Sequence, residues 1–251
     1  MLNRVLIMIV VLLLSDSPRA EAVDWTLLQD EIQTAIRGND ANALKQIRMG
    51  LSGTDTGQTD WTAYWQAYIA FLLVNLETDE DLQKEETRAC KSHSEAAIDA
   101  GETSGESHAL LSSCLGRMAA SGGMMAGMRY GSRSGNALDE SILLAPDNPR
   151  VLMLAGVSDY NRPVIWGGDI DRAERRLGRA LTILEASSLE PDPEQPWLPT
   201  WGLHDAFGHY AVVLGRIDRE EEALEVLSRA FSLGIQSSWL DQIKQRIESN
   251  R

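Results

Sequence analysis

Two stretches of this chain place a small residue, a large apolar residue and another small residue at identical spacing. They are Ala173, Leu177, Ala180 and, fifty positions later, Ala223, Leu227, Ala230. Steps of four and three put all three side chains on one face of an α-helix. Small residues let a neighbouring helix approach closely, and the large one fills the groove between them. Such a face requires a second helix. The preceding segments supply it, because Leu152, Ala155 and Gly156 align with His204, Phe207 and Gly208, with turns marked by Gly168-Asp169 and Gly215. Weaker copies are Ser134, Leu138, Ser141 before Pro146, and Cys90, Ser94, Ala97. The pattern predicts an all-α chain of antiparallel helical hairpins.

The rest of the sequence agrees. Few runs alternate with period two, and no Asn-Gly or Asp-Gly hairpin dipeptide occurs. Apolar residues at helical steps predict helices over about 25–36, 43–51, 61–76, 81–100 and 106–120, with Asp60 as the N-cap of the third and Gly101 ending the fourth. Residues 121–135, rich in glycine and methionine, read as a flexible inter-helix loop whose methionines cap the core, with helix resuming over 136–145. Further helices are expected over 149–160, 170–186, 201–215, 219–233 and 239–247, with a proline-rich loop at 191–199. Short connections favour antiparallel neighbours.

These features resemble the tetratricopeptide (TPR) family, whose pattern is W-x2-L-G-x2-Y, then A-x3-F, then P. The resemblance covers about residues 60–235 and is strongest over 149–180 and 201–234. It departs from the family in spacing, with intervals of 39 (Ser134 to Ala173) and 50 (Ala173 to Ala223) against a usual 34. Insertions at 161–167 and 185–200 account for the extra length. The segment from Leu143 to Arg150, with Trp166-Gly167-Gly168-Asp169 downstream, resembles exported bacterial TPR-like proteins, one type being the T component of tripartite (TRAP) transporters. The family implies hairpins stacked as a TPR-like right-handed superhelix. Its groove, lined by the first helix of each pair, would fall on Arg117, Arg150, Met153, Tyr160, Asp205 and His209.

The N-terminus reads as an address. Arg4 precedes ten apolar residues at 5–14, and Ala20-Glu21-Ala22 satisfies the small-residue rule for cleavage, giving a signal peptide over 1–22. Ten is well short of the roughly 20 residues a spanning helix needs. The reading is a soluble exported protein, periplasmic in a Gram-negative host, with an N-terminal helical pair over 23–59 and a repeat region over 60–251. The two basic and two acidic residues of 1–22 cancel, so the mature chain keeps the full net charge of −14. That field repels phosphate backbones and argues against nucleic acid as a partner.

Catalytic and metal patterns are missing from the sequence. There is no Gly-Lys-Ser/Thr after the glycine-rich stretch, no H-E-x-x-H and no G-x-S-x-G. His204 and His209, five apart, point about 140° from one another round a helix. No cofactor is expected. Among the seven tryptophans, Trp61 and Trp65 share a helical face and Trp197 and Trp201 flank Pro199. They read as core filler, with a pocket for an apolar ligand or peptide as the alternative. Cys90 and Cys114 are the only cysteines and lie 12 residues either side of Glu102, so an antiparallel hairpin turning there sets them opposite one another. An oxidising compartment makes a disulfide the expectation, with two buried free thiols as the alternative. The leading functional reading is a non-enzymatic scaffold binding a protein or peptide. The alternatives are a small-molecule-binding or accessory subunit of a transport system, and, least favoured, a hydrolase.

Overall fold

The computed structural model describes residues 23–52, 57–102, 104–187 and 190–249. The expected signal peptide lies outside these. Among the described residues there are eleven α-helices, one 3-10 turn and no strand. In chain order the helices are α1 (Trp25–Arg37), α2 (Ala41–Leu51), α3 (Thr59–Leu76), α4 (Glu80–Asp99), α5 (Glu106–Ser121), α6 (Gly123–Leu144), α7 (Pro149–Asn161), α8 (Ile170–Ala186), α9 (Leu203–Arg216), α10 (Glu220–Ser232) and α11 (Ser238–Ser249). The 3-10 turn is Val164–Trp166. Consecutive helices pack as the hairpin pairs α3/α4, α5/α6, α7/α8 and α9/α10, α4 also packs extensively on α5, and α11 closes the stack against α9 and α10. No helix among the described residues is long and apolar enough to cross a membrane.

The helix starts follow capping chemistry. The side chains of Asp24, Asp40, Asp79, Asn148 and Asp169 each accept a hydrogen bond from a first-turn amide. Pro149 occupies the first turn of α7, where a missing N–H costs nothing. Asp60 is not a cap: α3 starts at Thr59 behind Gln58, and Asp60 sits inside its first turn, where its charge suits the helix dipole.

The four repeat triplets define the packing. Ala173, Leu177, Ala180, Ala223, Leu227 and Ala230 have no exposed surface, and the weaker copies on α4 and α6 are buried too. A β-carbon added at Gly156 on α7 would lie 2.7 Å from Leu177 Cγ, so the α7/α8 approach requires glycine. The matching Gly208 packs differently. Its added β-carbon would meet Trp239 at 2.3 Å, so this glycine admits α11.

The glycine-rich stretch corrects the sequence reading. Residues 123–144 form one helix of 22 residues, broken from α5 only at Gly122. Its methionines do not cap the core, because Met124, Met125 and Met128 are exposed. Mid-helix glycines each cost about 1 kcal/mol relative to alanine, which is why the local pattern reads as a loop. Tertiary packing outweighs that cost. The Trp166 ring lies over Gly127 and Gly131, where a β-carbon at Gly127 would come within 3.0 Å of Cη2.

Cys90 on α4 and Cys114 on α5 form a disulfide with Cα atoms 6.2 Å apart. Both are buried against Ala70 of α3. The bridge ties two consecutive hairpins together.

Candidate functional site

The groove implied by the resemblance is covered at Arg150 by the chain itself. Residues 190–202, the insertion between α8 and α9, run back across the molecule to α1 and α3. Gln29 Nε2 donates to the carbonyls of Pro196 (2.9 Å) and Leu198 (3.2 Å), and its Oε1 accepts from Thr200 N and Oγ1 at 3.0 and 2.9 Å. The Trp65 indole donates to the Trp197 carbonyl at 2.9 Å. Trp201 stacks on Tyr68 with ring centroids 4.3 Å apart and donates its indole N–H to Tyr64 Oη at 2.9 Å. Side-chain donors that read an extended backbone are thus satisfied internally.

Arg150 belongs to this closed region. Its Nε donates to the buried Glu106 at 2.8 Å, and Tyr64 Oη and Asn148 Nδ2 donate to the same carboxylate at 2.6 and 2.8 Å. Burial, and then the Glu106 charge, push the Tyr64 phenol far above its usual range, so it stays a proton donor. Met153 is 2% exposed and is core. Trp25, Trp61, Trp65 and Trp201 are buried, in line with the filler reading.

Tyr160 and His209 do come together, with Oη 2.8 Å from Nδ1 and Arg216 lying over the tyrosine ring at 4.7 Å. Burial lowers the His209 pKa to about 4, against a weaker opposing pull from Asp205. Asp205 instead faces His204, 3.5 Å away. His204 bonds Ser237 Oγ at 2.8 Å, so it is a hydrogen-bonded, partly buried histidine.

Two open surfaces stand out among the described residues. The first is an apolar tip that sequence reasoning treated only as an insertion. Val164 and Ile165 are 83% and 86% exposed, and the half-exposed Trp166 rests on Gly127 and Gly131 of α6. The tip is rigidly held. Buried Asp159 accepts from Arg172 Nη2 and Arg176 Nη1, both at 2.7 Å, and Arg172 also donates to the Gly167 carbonyl at 2.6 Å. A β-carbon at Gly168 would lie 1.8 Å from the Arg162 carbonyl oxygen, so the return of the loop admits glycine alone. The signal in the sequence was Val-Ile-Trp between Pro163 and Gly167, too short to show periodicity.

The second is a groove of about 560 Å³ between the C-terminal end of α3, α4, α5 and the start of α6. Arg117, the remaining expected groove residue, lines it with Arg88 and Lys84 on one side and Val74, Met118, Ala126 and Tyr130 on the other. Arg117 donates to Asn75 Oδ1, and burial lowers its pKa. The six expected residues therefore divide among the closed region (Arg150, Met153), the Tyr160–His209 pair, the His204–Asp205 contact and this open groove (Arg117).

No family model and no curated protein matches the chain. Among solved structures, the HusA haemophore from Porphyromonas gingivalis matches with a TM-score of 0.60 at 19% identity, over 74% of this chain and 90% of HusA. YrrB, described as a TPR protein with an unusual peptide-binding site, matches with a TM-score of 0.42 at 17% identity, over 85% and 97% of the respective chains. The helical hairpins and their buried triplets, with the likeness to HusA in fold, make the fold TPR-like.

Proposed function

We propose that this chain is an exported, non-enzymatic scaffold that binds an apolar segment of a protein partner. The observation that carries the reading is the exposed apolar turn of Val164, Ile165 and Trp166, anchored by the Trp166 ring against Gly127 and Gly131 of α6. Exposed patches of this kind mark interaction sites. The buried charges serve packing: Glu106 is paired with Arg150, and Asp159 with two arginines. Export is supported by the buried disulfide, since such bonds persist in oxidising compartments.

The test is a partner captured by the mature protein under native conditions and identified by a photo-crosslinker at position 165. Ile165→Glu should abolish capture, while a crosslinker at Asp241 on α11 should recover nothing. Capture unaffected by Ile165→Glu overturns the reading, as does self-association that this substitution removes. For export, intact mass should place the mature N-terminus at Val23, and retention of residues 1–22 would refute it.

A second reading, a small-molecule-binding or accessory subunit of a transport system, is favoured by the open groove at Arg117. HusA's description as a haemophore is in keeping with a small-ligand role for this fold, and haemin titration tests that ligand directly.

A further inference from the structure

Four partly buried arginines are matched to buried carboxylates: Arg150 to Glu106, Arg172 and Arg176 to Asp159, and Arg48 to Glu86. With 37 acidic residues against 23 basic ones, carboxylates are in excess. Arg117 is not so matched. It is exposed at one side and lines the groove at the other, where burial lowers its pKa, and its hydrogen bond goes to the neutral Asn75. Arg88, lining the same groove, makes no ion pair among the described residues. Glu80, the one carboxylate among the lining residues, sits at the rim with Lys84, which pairs more closely with Asp81 at 3.0 Å.

The opposite wall is apolar. Because residues 123–144 are helical, Ala126 and Tyr130 fall one turn apart and face the groove with Val74 and Met118. The volume, about 560 Å³, lies in the range of small-ligand sites.

We propose that this groove binds a small amphipathic monocarboxylate, its apolar body on Met118, Ala126 and Tyr130 and its carboxylate on Arg117 and Arg88. A guanidinium presents a planar fork that matches a carboxylate, and part-burial strengthens the pairing. A single charge is favoured over a multiply charged phosphate because the surrounding field of the −14 chain opposes each added negative charge. The proposal rests on the small-molecule reading and is independent of the partner surface at Ile165.

The experiment is calorimetric titration of the mature, disulfide-bonded protein with octanoate, octan-1-ol and octyltrimethylammonium. Octanoate should bind saturably, more weakly at high salt, and at least tenfold more tightly than the other two. Arg117→Gln should weaken it about tenfold or more and Arg88→Gln several-fold, with unchanged circular dichroism. Ala126→Trp should block the groove without touching either cation. Binding of the alcohol or the ammonium in place of octanoate overturns the carboxylate class while leaving a small-molecule site standing. Octanoate binding insensitive to both Arg117→Gln and Ala126→Trp overturns the site, and no binding of any probe overturns both.

Discussion

The side-chain amide of Gln29 on α1 makes two hydrogen bonds with Thr200, 171 residues away, and two more with the carbonyls of Pro196 and Leu198. One residue therefore closes the helical stack on itself. Gln29→Ala should cost about 2–4 kcal/mol at roughly 1 kcal/mol per bond. Hydrogen exchange should show faster exchange at the Thr200 amide with α9 and α10 unchanged. Protection retained at Thr200 would mean that Trp201 alone holds the segment.

The Glu106–Arg150 pair is the second tie. Glu106→Ala leaves a buried guanidinium uncompensated and removes the acceptor for Tyr64, so denaturant titration should show a loss of about 3–5 kcal/mol. Tyr64→Phe removes one bond to the carboxylate and one neutral bond while leaving the ion pair in place, and should cost less. A Glu106→Ala loss below 1 kcal/mol would show that water replaces the carboxylate.

Close packing at the triplets can be tested at α10. Ala230 has no exposed surface, and Ala230→Leu should destabilise by about 1–3 kcal/mol because the added carbons meet packed neighbours. A neutral substitution would place the repeat contact elsewhere.

Stability should fall on mild acidification. His209 titrates near 4 when folded and near 6.5 when unfolded, so above 6.5 both states are neutral and no penalty applies. As pH falls from 6.5 to 4, the unfolded chain takes up a proton that the folded chain refuses. The fold loses up to about 3 kcal/mol over that window. His93, lowered mainly by burial, acts in the same direction. His209→Gln should flatten the slope between pH 6.5 and 4, and an unchanged slope would assign it to other groups.

Thiol counting on denatured, unreduced protein should find no free thiol, and Cys114→Ala should cost roughly 3 kcal/mol for a loop spanning 24 positions. Two free thiols per chain would exclude the bridge in the exported protein.

Helices, their pairing and the Cys90–Cys114 approach were legible because each is encoded locally. Spacings of three and four set a helix face, alternating small and large residues set how close the next helix comes, and a short turn at Gly101 sets which residues stand opposite. Helix α6 was not legible. Glycine at 127 and 131 opposes helix locally and becomes favourable only when Trp166, brought from another segment, covers it. The covering of the groove at Arg150 was hidden for the same reason. Arg150 and Met153 occupy the helix positions the family pattern assigns to a groove, but whether a groove is open depends on what the rest of the chain lays across it. That segment contacts Trp65 and Gln29 across 132 to 171 residues. Its irregular backbone has no period to read. Sequence by itself determined the helices and their contact faces, since these depend on neighbours in the chain. Tertiary structure decided which surfaces remain free to bind, since exposure is a property of the whole packed molecule.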